Sequence, residues 1–242
     1  MRAGMVRTLT GACAVALIAF SAPSRAFAGV VSTSGTITQI TTPSGTLAGG
    51  TLESDATAYF WFENTVTGAQ SVSVNHRGSG TVNSAGTANP GTLNATFVRS
   101  YMTHFDKVGS TAGVFVTLSN MSITFDEEII GIIFNTTTLG NTDGTYGPSG
   151  LTYSYVAANS RGYELGTGAT GDRFSISADR HTITILNIGT AAAGIDELRI
   201  LLNPEPGTFA LSGLGVALLG GLVVRRRRRR RAAAPAQQPA RA

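Results

Sequence analysis

The sequence predicts an all-β domain, an antiparallel β-sandwich or jelly roll, over residues 29–202. Apolar and polar residues alternate with period two in several short runs, the pattern of strands with one buried face. Gly, Asn, Asp and Pro break these runs at short intervals, and no stretch before residue 203 shows a convincing helical repeat. Only 13% of the chain is charged, and its 30 glycines accompany abundant Thr and Ser, a composition suited to pleated strands and tight turns. About 175 residues suffice for one well-packed core. The absence of an internal repeat weighs against a propeller or β-helix.

The elements follow in chain order. Thr36-Ile37-Thr38-Gln39-Ile40 alternates along one strand, and the fuller apolar run from Ala58 to Phe62 suits a central strand buried on both faces. Gln70-Ser71-Val72-Ser73-Val74 alternates again. Residues 78–94, GSGTVNSAGTANPGTLN, lack an apolar pattern and predict a long loop. Gly113 to Leu118 and Ile129 to Phe134 are further central strands, followed by a second loop over residues 136–150. Phe174-Ser175-Ile176-Ser177 and His181-Thr182-Ile183-Thr184-Ile185 alternate, and Ile195 to Leu202 closes the domain as another central strand. About ten strands result.

Candidate chemistry is sparse. His104 and Asp106 lie two apart, so a strand points both to one face, yet no Gly-x-Ser-x-Gly turn supplies a nucleophile and a structural polar pair is the expected role. His76, His104 and His181 have no ligand spacing. Asn141-Thr142-Asp143-Gly144-Thr145 alternates oxygen ligands in a Gly-containing loop, so Asn141 and Asp143 are candidate calcium ligands; a plain Asp-Gly turn is the competing reading, and the late bidentate glutamate of a full calcium loop is missing. Asp126-Glu127-Glu128 is a second acidic cluster. Arg161, Glu164, Asp196 and Arg199 are expected to form ion pairs that pin loops to strand ends. Tyr146, between Gly144 and Pro148, is the expected exposed ring for stacking on a sugar, whereas Tyr153 and Tyr155 alternate into the core. No catalytic residue and no cofactor other than calcium is expected.

The flanks carry sharper information. Arg2 and Arg7 precede an apolar run from Gly11 to Phe20, and Ala26-Phe27-Ala28 is a small-x-small site for signal peptidase, so residues 1–28 read as a signal peptide cut after Ala28. Cutting there removes Cys13, the single cysteine, and leaves no disulfide chemistry. Residues 29–203 then hold seven basic against thirteen acidic side chains, a formal charge of −6, which argues against a nucleic-acid partner.

At the other end, Asn203-Pro204-Glu205-Pro206-Gly207 precedes 17 uncharged residues, Thr208 to Val224, and then Arg225, Arg226, Arg227, Arg228, Arg229, Arg230 and Arg231. As a helix those 17 residues span roughly 25 Å, slightly short of the hydrocarbon core, a deficit that snorkelling arginines offset. The positive-inside rule places the arginine end in the cytoplasm and the domain outside. Pro204 and Pro206 flank Glu205 and keep that segment extended, accessible to a protease or simply a rigid turn before the helix. Gly213, Ala217 and Gly221 recur every four residues on one face of the span, and residues 232–242 form a low-complexity cytoplasmic tail.

The Pro204-Glu205-Pro206 turn, apolar span and arginine run resemble the PEP-CTERM sorting signal of Gram-negative bacteria over residues 203–231. That resemblance implies processing by exosortase, a membrane protease and transpeptidase-like enzyme, and an association with exopolysaccharide. The extension beyond Arg231 departs from the usual pattern. Residues 97–202, including Ser100 to Asp106, Arg161-Gly162-Tyr163-Glu164 and Gly194 to Arg199, resemble an ectodomain type recurring among PEP-CTERM proteins, which brings no activity with it.

Three readings of function follow. A non-catalytic surface or matrix protein, anchored in the inner membrane in transit and then exposed on the cell surface or released, comes first. A carbohydrate-binding module, calcium-assisted, comes second and requires exposed rings. A secreted hydrolase, requiring clustered acids or a histidine-centred triad, comes third.

Overall fold

The computed structural model describes residues 29–109, 115–154, 161–190 and 194–203. The signal peptide with Ala26 and Ala28, Tyr155, the turn Pro204 to Pro206, the span 208–224, Arg225 to Arg231 and the tail 232–242 lie outside the described residues. No helix among the described residues is long and apolar enough to cross a membrane.

In chain order the strands are β1 (Val30–Ser34), β2 (Ile37–Gln39), β3 (Gly45–Leu47), β4 (Ala58–Val74), β5 (Gly80–Val82), β6 (Gly91–Asp106), β7 (Val116–Leu118), β8 (Met121–Phe125) and β9 (Glu128–Ile133). Then come one helix, α1 (Thr136–Tyr146), and β10 (Leu151–Tyr153), β11 (Arg173–Ile176), β12 (Thr182–Thr190) and β13 (Ile195–Asn203). The protein is mostly β, with several antiparallel sheets. One sheet runs β1-β8-β12-β11-β5, with β7 also on β12; a second runs β2-β4-β6-β13-β9; β3 and β10 form a small third. Two pairs, β2 with β4 and β3 with β10, are parallel, an exception to the expected antiparallel order.

The separate runs at 58–62 and 70–74 belong to one 17-residue strand, β4, which pairs with the 16-residue β6 from Tyr59↔His104 to Val74↔Gly91. Irregularities between Phe62 and Asn64 and between Thr67 and Gln70 absorb the polar residues that made the run look broken.

Alternation sorts the second sheet into two faces. Phe60, Tyr101, Phe105, Leu198, Ile200 and Leu202 join Phe125, Phe174, Ile183 and Ile185 of the first sheet in one core. Trp61, Val98, Met102 and Leu201 join Leu47, Leu139 and Tyr146 in a second core, under α1 and the small sheet. The second sheet is therefore covered on both sides, which is why every residue from Ile195 to Leu202 is buried.

Both loop expectations need correction. Within 78–94, β5 pairs with β11, and β6 begins at Gly91. Within 136–150 stands α1, whose first turn is capped by Asn135 Oδ1 accepting from the amides of Thr137 and Thr138. Leu139, Thr142 and Tyr146 are its buried face, at helical spacing. Gly140 and Gly144 lower its intrinsic propensity, so packing of that face against the second core stabilises it.

Candidate functional site

Adjacent residues of β13 carry the charged chemistry to opposite faces. Glu197 and Arg199 point with Leu201 toward α1, and Asp196 points with Leu198 and Ile200 toward the first sheet.

On the α1 side a buried network is built around Arg199, which is fully buried. Its Nε and Nη2 donate to the two oxygens of Glu63 on β4 at 2.7 and 2.9 Å, Nη2 also donates to Asp143 Oδ1 at 2.8 Å, and Nη1 donates to Thr142 Oγ1 at 2.5 Å and the Leu139 carbonyl at 3.2 Å. Glu63 also accepts from the hydroxyls of Ser100 and Tyr153, each at 2.5 Å. Arg161 donates from Nε to Glu197 and from Nη1 and Nη2 to Asp143 at 2.6 and 3.0 Å, and its guanidinium lies 4.5 Å from the Tyr153 ring centre. Glu197 meets His104 Nδ1 at 3.0 Å, and His104 Nε2 faces the Thr51 carbonyl at 3.1 Å. Both ring nitrogens of His104 thus face oxygen acceptors. Each of the three carboxylates, Glu63, Asp143 and Glu197, therefore meets at least one guanidinium group.

Burial works against the Arg199 charge, but Glu63 and then Asp143 outweigh it and hold the guanidinium above its ordinary range. Burial, reinforced by Glu63, pushes the Tyr153 hydroxyl far above the usual phenol range.

This arrangement corrects three expectations. Arg161 and Arg199 do form ion pairs, but with Glu63, Asp143 and Glu197 rather than with Glu164 or Asp196. Asp143 lies on α1 with both oxygens held by guanidinium groups, and Asn141 is exposed on the same helix, so the calcium loop expected there is absent and its carboxylate is already neutralised. Tyr146 is fully buried in the second core instead of exposed for a sugar; burial raises its hydroxyl pKa, and the oxygen has no hydrogen-bond partner.

Other singled-out residues separate. Asp106 accepts from the Gly50 amide at 2.8 Å, His76 Nδ1 accepts from the Asn89 amide at 3.1 Å, and His181 Nδ1 faces the Phe125 carbonyl at 3.1 Å. Glu127 pairs with Arg99 at 2.7 Å, and Glu128 pairs with Arg180. A shallow depression of about 280 Å³ on the β4–β6 surface, lined by Ala69, Gln70, Ser71, Asn94, Ala95 and Thr96, has no aromatic wall.

On the opposite face, Asp196 meets Glu164 and Asp172, each offering an oxygen within 4.8 Å of the others. Gly162, at φ +110°, makes this division possible: a side chain there would strike the Phe134 carbonyl, and the turn sends Arg161 into the network while Tyr163 enters the first core. Asp172, Glu63 and Glu197 were not singled out by sequence reasoning. Glu197 and Asp172 had a local signal, the Asp-Glu-Leu-Arg order of β13 and the acid closing a Gly-rich turn, whereas Glu63 on β4 had none.

Residues 204–229 match the PEP-CTERM protein-sorting motif. No curated protein and no solved structure matches the chain. The motif marks an exosortase substrate, exported and sorted to the cell surface.

Proposed function

We propose that this exosortase-sorted chain is a non-catalytic surface protein of the cell envelope or extracellular matrix, its domain a two-sheet sandwich presented outside the membrane and associated with extracellular polysaccharide. The sorting motif over residues 204–229 is the observation that carries the reading. The buried network supports a structural role for the residues that most resembled catalytic groups, since Glu197 and the Thr51 carbonyl occupy both nitrogens of His104. The signal peptide brings the chain to the membrane, and the apolar span with its arginine run holds it there until exosortase acts on the Pro204 to Pro206 turn.

The test is the intact mass of the protein recovered from cells with and without exosortase, beside a variant with Pro204, Glu205 and Pro206 all changed to Ala. A mature species lacking Arg225 to Arg231, formed only with the enzyme and the intact turn, is expected. A full-length C-terminus in every case would reduce the tail to a plain membrane anchor and remove the support for a matrix role.

A further inference from the structure

We propose that Glu164, Asp172 and Asp196 form a binding site for a hard divalent cation, calcium in the exported setting of this domain. Their carboxylate oxygens lie within 4.8 Å of one another. Calcium binds oxygen at about 2.3–2.6 Å, so two ligands on opposite sides of one ion stand about 4.6–5.2 Å apart, and a single ion reaches all three. An all-oxygen set selects calcium or magnesium over zinc or copper.

Asp196 supplies an independent indication. It is 1% exposed, and its carboxylate meets no backbone, hydroxyl or cationic donor; the one group within its reach is the Glu164 carboxyl, itself an acid. A buried carboxylate without a donor is costly to hold in a folded protein. The charges acting on it come from other carboxylates, Asp172 and Glu164 first and Asp106 after them. An ion between the three supplies the missing partner and offsets the mutual repulsion.

The site is also built. Asp172 is fixed by the amides of Glu164 and Gly189, at 2.7 and 3.0 Å, each donating to one of its oxygens. Backbone bonds from Asp172 N to the Glu164 carbonyl and from Gly166 N to the Asp172 carbonyl close the 164–172 turn. Gly171 lies so close to Gly166 that a Cβ would overlap it, and Asn187 Nδ2 donates to the Ala169 and Gly171 carbonyls. Two ligands therefore come from one closed turn and the third from β13. Glu164 is exposed, so ions and completing waters enter on its side. Such an irregular set suits the adaptable coordination of calcium better than the strict octahedron of magnesium.

The experiment uses the full chain in detergent, stripped with a chelator and titrated with calcium chloride by calorimetry and thermal unfolding. One ion should bind with Kd of about 10⁻⁴ to 10⁻³ M, the range of extracellular sites. At a hundredfold excess over Kd the melting temperature should rise by about 5–10 °C. Magnesium should give a smaller rise. Glu164→Gln, at an exposed position, should not lower the metal-free melting temperature and should lose at least about tenfold in calcium affinity, the scale of one missing ligand. Asp179→Asn, at an exposed acid elsewhere, should titrate as the parent does. No heat and no melting shift in the parent would overturn the proposal, as would undiminished calcium binding in both Glu164→Gln and Asp196→Asn.

Discussion

Asp196 and Glu197 are neighbours on one strand, both fully or almost fully buried, and the two faces they enter treat a carboxylate in opposite ways. Glu197 meets His104 and Arg161 in a network where every carboxylate faces a guanidinium group. Asp196 meets two more carboxylates and no donor. Burying a charge is tolerable where partners and hydrogen bonds replace water, and the first face supplies them from inside the protein. The second face does not, so its compensation has to come from protons or from an ion.

Substitutions sharpen that contrast. The largest effect is expected from Arg199→Met, which leaves Glu63 and Asp143 facing each other without their shared cation and should lower unfolding free energy by about 3–5 kcal/mol in urea titrations. Glu197→Gln should cost about 3 kcal/mol for the same reason. Asp196→Asn, one residue away, should have the reverse sign in metal-free protein and stabilise by about 1 kcal/mol, because the amide carries no charge for burial and the neighbouring carboxylates to oppose. Equal destabilisation by the two neighbouring substitutions would break the comparison.

Glu127 is an intermediate case, paired with Arg99 through one oxygen while the other has no partner. Burial raises its pKa to about 7 despite Arg99. A carboxyl whose folded pKa exceeds its unfolded value stabilises the fold while protonated and loses that contribution as pH rises. Stability should therefore fall by about 2–3 kcal/mol between the unfolded pKa near 4.5 and about 7 on account of this group. Glu127→Gln should flatten the stability profile over that window, and an unchanged slope would dissociate Glu127 from it.

Two tyrosines, one on each face, extend the contrast to neutral groups. Tyr153→Phe removes the hydroxyl that donates to Glu63 and should cost about 1–3 kcal/mol. Tyr163→Phe on the carboxylate face removes a hydroxyl whose only neighbouring partner is Thr103, poorly aligned for a hydrogen bond, and should change stability by less than about 0.5 kcal/mol. Matching losses in thermal unfolding would show that the two faces hold their phenols alike.

Much of the β architecture was legible in local pattern. The strands at Ile37–Gln39, Arg173–Ile176, Thr182–Thr190 and Ile195–Asn203 fall where alternation or apolar runs predict them. The 136–150 segment was not legible, because Asn-Thr-Asp-Gly-Thr has turn chemistry and two glycines; its helix depends on Leu139, Thr142 and Tyr146 finding a sheet face to cover. The same dependence hid the fate of Tyr146, which looked exposed beside Gly and Pro and is buried because the helix turns it inward. The charged residues were individually visible at Arg161, Glu164, Asp196 and Arg199, but their partners were not: Glu63 stands 136 positions from Arg199.

By itself the sequence determined the β class and the sorting tail, since period-two alternation and a Pro-Glu-Pro turn with an apolar span before seven arginines are contiguous patterns. Tertiary structure alone decided which acids are neutralised. That outcome depends on which face of β13 each side chain enters and on what distant strands bring to meet it, and no local pattern encodes the partner across a sheet.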